Sequence, residues 1–272
     1  MGKEPTYTRR LGLRAALAGG LSLSCRSWAQ GGVDHTGGDP LGSMQWPDIR
    51  RAFTGGEPLR FAPEVQVRGP AFADDAMNVP VWLDARAVAG QGGGIDRIEL
   101  VADRNPVRHI LTFEPLGSLP VLAFRFKLEQ ASPLRALVRT RDGRWHVGQT
   151  WVQASGGGCT VPGQTRSDGS WSRTLGQVQA RFFLNVIDGS RRLRLRVMHP
   201  MDTGLVAGIP AFYLETLALH DATGTPLWRL GLHEPVSENP LMTFELPMQS
   251  QAPWRLQGRD NNGLRIDEVL QS

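Results

Sequence analysis

From about residue 59 the hydrophobic and polar positions alternate with a period of two. The first set of runs is Leu59-Arg60-Phe61-Ala62, Val65-Gln66-Val67-Arg68, Val79 to Ala85, Ile95 to Val101, Leu122 to Leu128, Leu134 to Arg139 and Trp145 to Gln149. Alternation of this kind gives a strand one buried and one wet face. Arg141-Asp142-Gly143-Arg144 places an Asp-Gly hairpin turn between two of the runs. A second set follows at Val178 to Phe183, Leu193 to Met198, Leu214 to His220, Leu227 to Leu230, Met242 to Leu246 and Ala252 to Leu256, with a turn at Asp260 to Gly263. Between the sets, residues 155–177 have the composition of a flexible linker. Short alternating strands with frequent turns predict an all-β chain, two immunoglobulin-like β-sandwich domains joined by a Gly/Ser-rich linker.

Upstream of the strands the pattern changes. Residues 46–56 fit a short helix with Pro47 in its first turn. Residues 30–45 are rich in Gly and Asp and read as a flexible N-terminal stretch. Arg9 and Arg10 precede an apolar run, Leu11 to Leu23, and Ser27-Trp28-Ala29 offers a small-x-small cleavage site. Paired arginines favour the twin-arginine export route over an ordinary secretory signal. A lipoprotein anchor at Cys25 is disfavoured by Ser22, which stands where a large apolar residue is needed. The expected division is therefore 1–29 signal peptide, 30–58 extension with a short helix, 59–159 first domain, 160–177 linker and 178–272 second domain.

Removal of 1–29 changes the charge argument. That segment holds Lys3, Arg9, Arg10, Arg14 and Arg26 against Glu4, so of 30 basic and 26 acidic residues the remainder keeps 25 of each. The overall net charge of +4 thus gives no reason to expect a nucleic-acid partner. No run reaches the roughly 18 apolar residues needed to span a bilayer. The 32 Gly and 19 Pro fit a turn-rich chain.

Beyond residue 29 one cysteine remains, Cys159, directly after Gly156, Gly157 and Gly158. Glycine explores both signs of φ, so this run reads as a mobile tether carrying an exposed thiol. A thiol on a mobile arm suits a group carrier. Two rivals stand beside it. One is a thiol enzyme pairing Cys159 with His109, His146, His220 or His233, for which no local signature exists. The other is a β-sandwich binding module in which the cysteine is incidental. His199 and Met201 invite a copper reading, but two ligands beside a proline leave the set incomplete, and no metal or cofactor is expected.

The first half resembles SoxY, the cargo-bearing subunit of the periplasmic thiosulfate-oxidising carrier, at Val79-Pro80-Val81, Ile98 to Pro106, Phe126-Lys127-Leu128, Asp142-Gly143 and Gly156 to Cys159. SoxY ends in a Gly-Gly-Cys-Gly-Gly arm whose cysteine holds sulfur intermediates. The resemblance implies covalent attachment at Cys159 and a flexible arm at Gly156, Gly157 and Gly158. Here Thr160-Val161-Pro162-Gly163 and a further domain follow the cysteine, so the arm is tied at both ends. The second half resembles SoxZ at His199-Pro200-Met201-Asp202-Thr203-Gly204, with Leu232-His233, Asn239-Pro240 and Asp260 to Gly263 in order. Fused chains of this kind are similar to SoxYZ-like carriers associated with quinoprotein dehydrogenases. The implied protein has no catalytic centre of its own, an internal SoxY-like/SoxZ-like interface, and periplasmic sulfur-oxidation enzymes or a quinoprotein dehydrogenase system as partners.

Overall fold

The computed structural model describes residues 34–185 and 189–271. The expected signal peptide at 1–29 lies outside them. The chain divides into two units, 1–34 and 35–272, and the architecture below is that of the second. In chain order its elements are α1 (Trp46–Thr54), β1 (Leu59–Phe61), β2 (Gln66–Arg68), β3 (Phe72–Ala73), β4 (Val79–Asp84), α2 (Arg86–Ala89), β5 (Ile95–Ala102), β6 (His109–Glu114), β7 (Val121–Phe126), β8 (Ser132–Thr140), β9 (Trp145–Ala154), α3 (Gln164–Ser167), α4 (Trp171–Thr174), β10 (Val178–Asn185), β11 (Ser190–Val197), β12 (Leu214–His220), β13 (Pro226–Leu232), β14 (Leu241–Leu246), β15 (Trp254–Asp260) and β16 (Arg265–Leu270).

The strands form two sheets. One has ten strands, in the order β1-β9-β8-β5-β6-β13-β12-β15-β16, with β3 also against β9. The other has six, β10-β11-β14-β7-β4-β2. Alternation sets the faces: on β11, Leu193, Leu195 and Val197 point into the core while Arg192, Arg194 and Arg196 face solvent. The all-β sandwich class is as the pattern predicts, with helix among the described residues confined to α1 and three single turns.

The two halves meet strand to strand in both sheets. In the larger sheet β6 pairs with β13, Phe113 opposite Leu230. In the smaller, β7 pairs with β14, Leu122 opposite Phe244. The core crosses the same seam. Phe113 lies 6.1 Å from Phe244, and Phe244 stacks on Trp228 at 4.1 Å. Full burial of one such side chain contributes roughly 1.5–3 kcal/mol, so the seam is a continuation of the core.

Two segments expected to be flexible are folded. Residues 35–45 pack on the first half: Asp39 pairs with Arg135 at 2.7 Å, and Arg135 also holds Asp103 at 2.8 Å under the Trp46 ring. Alternation put Arg135 on a wet face of β8. That face is instead covered by α1, whose Trp46 and Ile49 join Val101, Leu137, Trp145 and Val147 in a second small core. Residues 160–177 form α3 and α4, tied down by side chains that composition alone does not pair.

Candidate functional site

Strand β7 ends at Phe126, and the chain then turns between the two halves. The Lys127 amide donates to Pro235 O at 2.6 Å, and Phe126 forms an isolated bridge with Val236. Alternation stops where the strand stops, so Lys127 is buried rather than wet, only 3% exposed. Its ammonium donates to the carbonyl of Met201, in the second half. Asn105 fixes the turn: its Nδ2 donates to Lys127 O at 2.8 Å, and its Oδ1 accepts from the Glu129 amide at 2.9 Å.

Cys159 docks on this turn and is 1% exposed. The exposed, mobile thiol expected from the glycine run is therefore not what the folded chain presents. Glu129 accepts the Cys159 amide at 2.9 Å and the Thr160 hydroxyl at 3.0 Å. Thr203 Oγ1, from the second half, donates to Cys159 O at 2.6 Å. The thiol itself points at Lys127 O, 3.6 Å away. The glycines serve close approach as much as freedom. Gly157 and Gly158 donate to Glu129 O and Leu128 O at 3.1 and 3.3 Å. A Cβ on Gly158 would strike the Ala76 carbonyl and stand 2.6 Å from Leu128 O. Gly156 and Gly157 have φ of 100° and 83°, in the region that glycine alone enters freely.

The second-half segment from His199 to Gly204 forms the other wall. Met201 has a left-handed backbone, φ 50°, which costs a non-glycine residue roughly 1–2 kcal/mol. It is held there by three contacts. Its amide donates to His199 Nδ1 at 3.1 Å, its sulfur accepts from the Leu214 amide at 3.3 Å, and its carbonyl takes Lys127. His199 faces Asp260 through Nε2 at 3.4 Å. Because Nδ1 accepts a proton bond, the ring is the Nε2–H tautomer. Pro200 is buried beside it. Asp202 pairs with Arg166 of α3, Nε to Oδ2 at 2.9 Å, and the Arg166 guanidinium lies 4.1 Å over the Trp171 ring of α4. Gly204 turns the chain at φ 74°, and a Cβ added there would stand 3.0 Å from the Ala211 nitrogen. The donors of a copper reading, His199 and Met201, thus already have protein partners. Among the described residues no group of three His, Cys, Asp or Glu is placed to hold a metal ion.

The electrostatics follow from burial. Loss of water pushes the Cys159 thiol up to about 12; Glu129 adds to the rise and Lys127 opposes it. Burial lowers Lys127 to about 8 against the pull of Cys159, Asp202, Glu238 and Glu234. Burial also drops His199 to about 4, with Asp260 opposing. Docked, the thiol is protonated at neutral pH and a poor nucleophile. The structure brings Cys159, Gly156, Gly157, Gly158, Met201, Asp202 and Thr203 to one seam; His109 and His233 stack together elsewhere, 4.1 Å apart. Sequence reasoning gave no role to Lys127, Glu129, Asn105 or Arg166. One signal was available: beyond residue 29 the chain has a single lysine and a single cysteine, and they meet here.

Residues 49–159 match the family model described as Sulfur oxidation protein SoxY, a match that ends on Cys159 and covers less than half of the chain. The search of curated proteins finds no match. Among solved structures, the sulfur carrier protein SoxY from Chlorobium limicola f thiosulfatophilum aligns at 16% identity over 41% of this chain and 96% of its own, with a TM-score of 0.34. A superoxide reductase (neelaredoxin) from Ignicoccus hospitalis aligns at 16% identity over 40% of this chain and 87% of its own, with a TM-score of 0.29.

Proposed function

We propose that this chain is a sulfur carrier that holds sulfur-containing intermediates covalently on Cys159 and presents them to partner enzymes after export to the periplasm. The observation that carries the reading is the SoxY family match, which ends on the one cysteine beyond residue 29. The arrangement around that residue supports it: the thiol is stowed at the seam by one residue of each half, Glu129 and Thr203. The second half acts as a SoxZ-like platform for the arm. Carriage requires the segment around Cys159 to lift out, which exposes the thiol to water and restores its ordinary acidity. Sulfur-oxidation enzymes or a quinoprotein dehydrogenase system are the partners of this reading.

The burial of Cys159 favours one alternative, a structural cysteine in a binding module. Intact mass spectrometry of the protein from its native periplasm separates them. The carrier reading expects a mature chain beginning near Gln30 with a sulfur-containing adduct that is absent from Cys159→Ser. An unmodified thiol in cells growing on reduced sulfur compounds, with Cys159→Ser fully functional, sinks the reading in favour of the alternative.

A further inference from the structure

The outer face of the six-stranded sheet carries arginines that the fold does not use. Arg181 on β10 and Arg194 on β11 stand directly opposite each other. Like charges so placed destabilise a strand pair. Arg196 follows on β11, and Arg125 lies on the same face of β7. Arg192 is answered by Glu245 at 2.6 Å. Arg125, Arg181, Arg194 and Arg196 have no ion-pair partner among the described residues. Arg125 and Arg194 border a groove of about 650 Å³ floored by Trp82, Ala123, Leu241 and Thr243, and Arg181, Arg194 and Arg196 line a smaller hollow that shares Leu241 with it. A second hollow of about 530 Å³ shares Arg125, Arg194 and Arg196 with this face and reaches Met77, Gln164 and Glu238. Gln164 opens α3, five residues after Cys159, and Met77 follows the residue whose carbonyl meets Gly158. The arginine face and the docked arm are thus neighbours.

We propose that this face is the docking site for an acidic, partly apolar segment of a partner protein, which it seats beside the Cys159 arm. The inference rests on the carrier reading for what the partner delivers, and on the surface alone for what binds. Charge complementarity sets the sign: unpaired arginines on one face call for carboxylates. The floor sets the rest. Trp82, Leu241 and Ala123 are half-buried while Arg181, Arg194 and Arg196 are exposed, so these three apolar groups lie below the cations, with the exposed Phe183 ring at the rim. Side chains of an extended segment reach such a floor.

The test uses the chain from Gln30 onward and a fluorescent decapeptide of alternating Glu and Leu, followed by anisotropy. Saturable binding is expected, weakened at least tenfold between 50 and 300 mM salt and at least tenfold by Arg194→Ser/Arg196→Ser. Arg229→Ser/Arg265→Ser, on the other sheet, should leave it unchanged. Should the first double variant fail to fold, Arg181→Ser, which relieves the like-charge pair, carries the same expectation. No saturable binding, equal binding by all variants, equal binding of a Lys-Leu decapeptide, or preference for vesicles of anionic phospholipid overturns the proposal. Cys159→Ser should bind the peptide as the parent does. Peptide binding without any cargo adduct sinks the carrier reading and leaves the docking site standing; an adduct without peptide binding does the reverse.

Discussion

Lys127 and Cys159 lose their water together, and their effects on stability run in opposite directions with pH. For Lys127 the folded value is about 8 against 10.5 for the free group. Below pH 8 both states carry the ammonium and its burial opposes folding. Between 8 and 10.5 the folded amine is neutral while the unfolded one still binds its proton, so stability rises with pH. For Cys159 the folded value is about 12 against 9.0. From pH 9 the unfolded thiol ionises and the folded thiol does not, so stability falls. Urea unfolding across pH 7.5–11 should therefore show Cys159→Ala gaining stability from pH 8 upward and Lys127→Met losing it from pH 9 upward, with the parent chain between. Parallel pH curves for all three would mean that the two groups are not the buried pair described. Thr203→Ala belongs to the same scale. It removes one hydrogen bond to Cys159 O, a loss of about 1 kcal/mol, and should speed thiol labelling of the native chain roughly five-fold.

Among the elements, the Cys-bearing connection between β9 and α3 separates two kinds of glycine. Gly157 has positive φ and open space around its Cα; Gly158 has no such φ but backbone oxygens on the side where a Cβ would go. Gly158→Ala should undock the connection and bring Cys159 labelling close to the rate of a free thiol, with the sheets intact by circular dichroism. Gly157→Ala adds strain of roughly 1–2 kcal/mol without a clash, and should raise the rate less. Equal rates for both would show that steric fit does not hold the arm. This distinction marks what the sequence disclosed. β5, β7, β8 and β11 were legible because alternation is a local property of each strand. The docking of Cys159 was not, because a run of three glycines reads alike whether it swings free or lies against a carbonyl. Lys127 escaped because it sits one residue past the end of β7, where period-two reasoning no longer assigns a face. Arg135 was misplaced because its cover comes from Asp39, in a stretch whose composition resembles a loose terminus, and from Trp46, on a short helix whose packing partner no local pattern assigns.

At the scale of the molecule the seam makes the halves interdependent. Cutting the chain between β9 and β10 would still leave the ladders of β6 with β13 and β7 with β14. Cleavage between Arg166 and Arg173 should therefore leave the fragments together on gel filtration, and calorimetry of the uncut chain should show one cooperative transition for residues beyond 34. Two separate transitions would show that the shared sheets do not couple the halves. The position of the cysteine also sets a limit on distance. Regular secondary structure stops at Ala154 of β9 and resumes at Gln164 of α3, with Cys159 midway. At about 3.5 Å per residue, five residues allow the thiol to travel roughly 17 Å from either anchor. A partner whose reacting atoms lie at the end of a deep, narrow channel is out of range, because two strands of chain must enter side by side. A carrier of the proposed kind selects for shallow, wide-mouthed active sites brought close to its own surface.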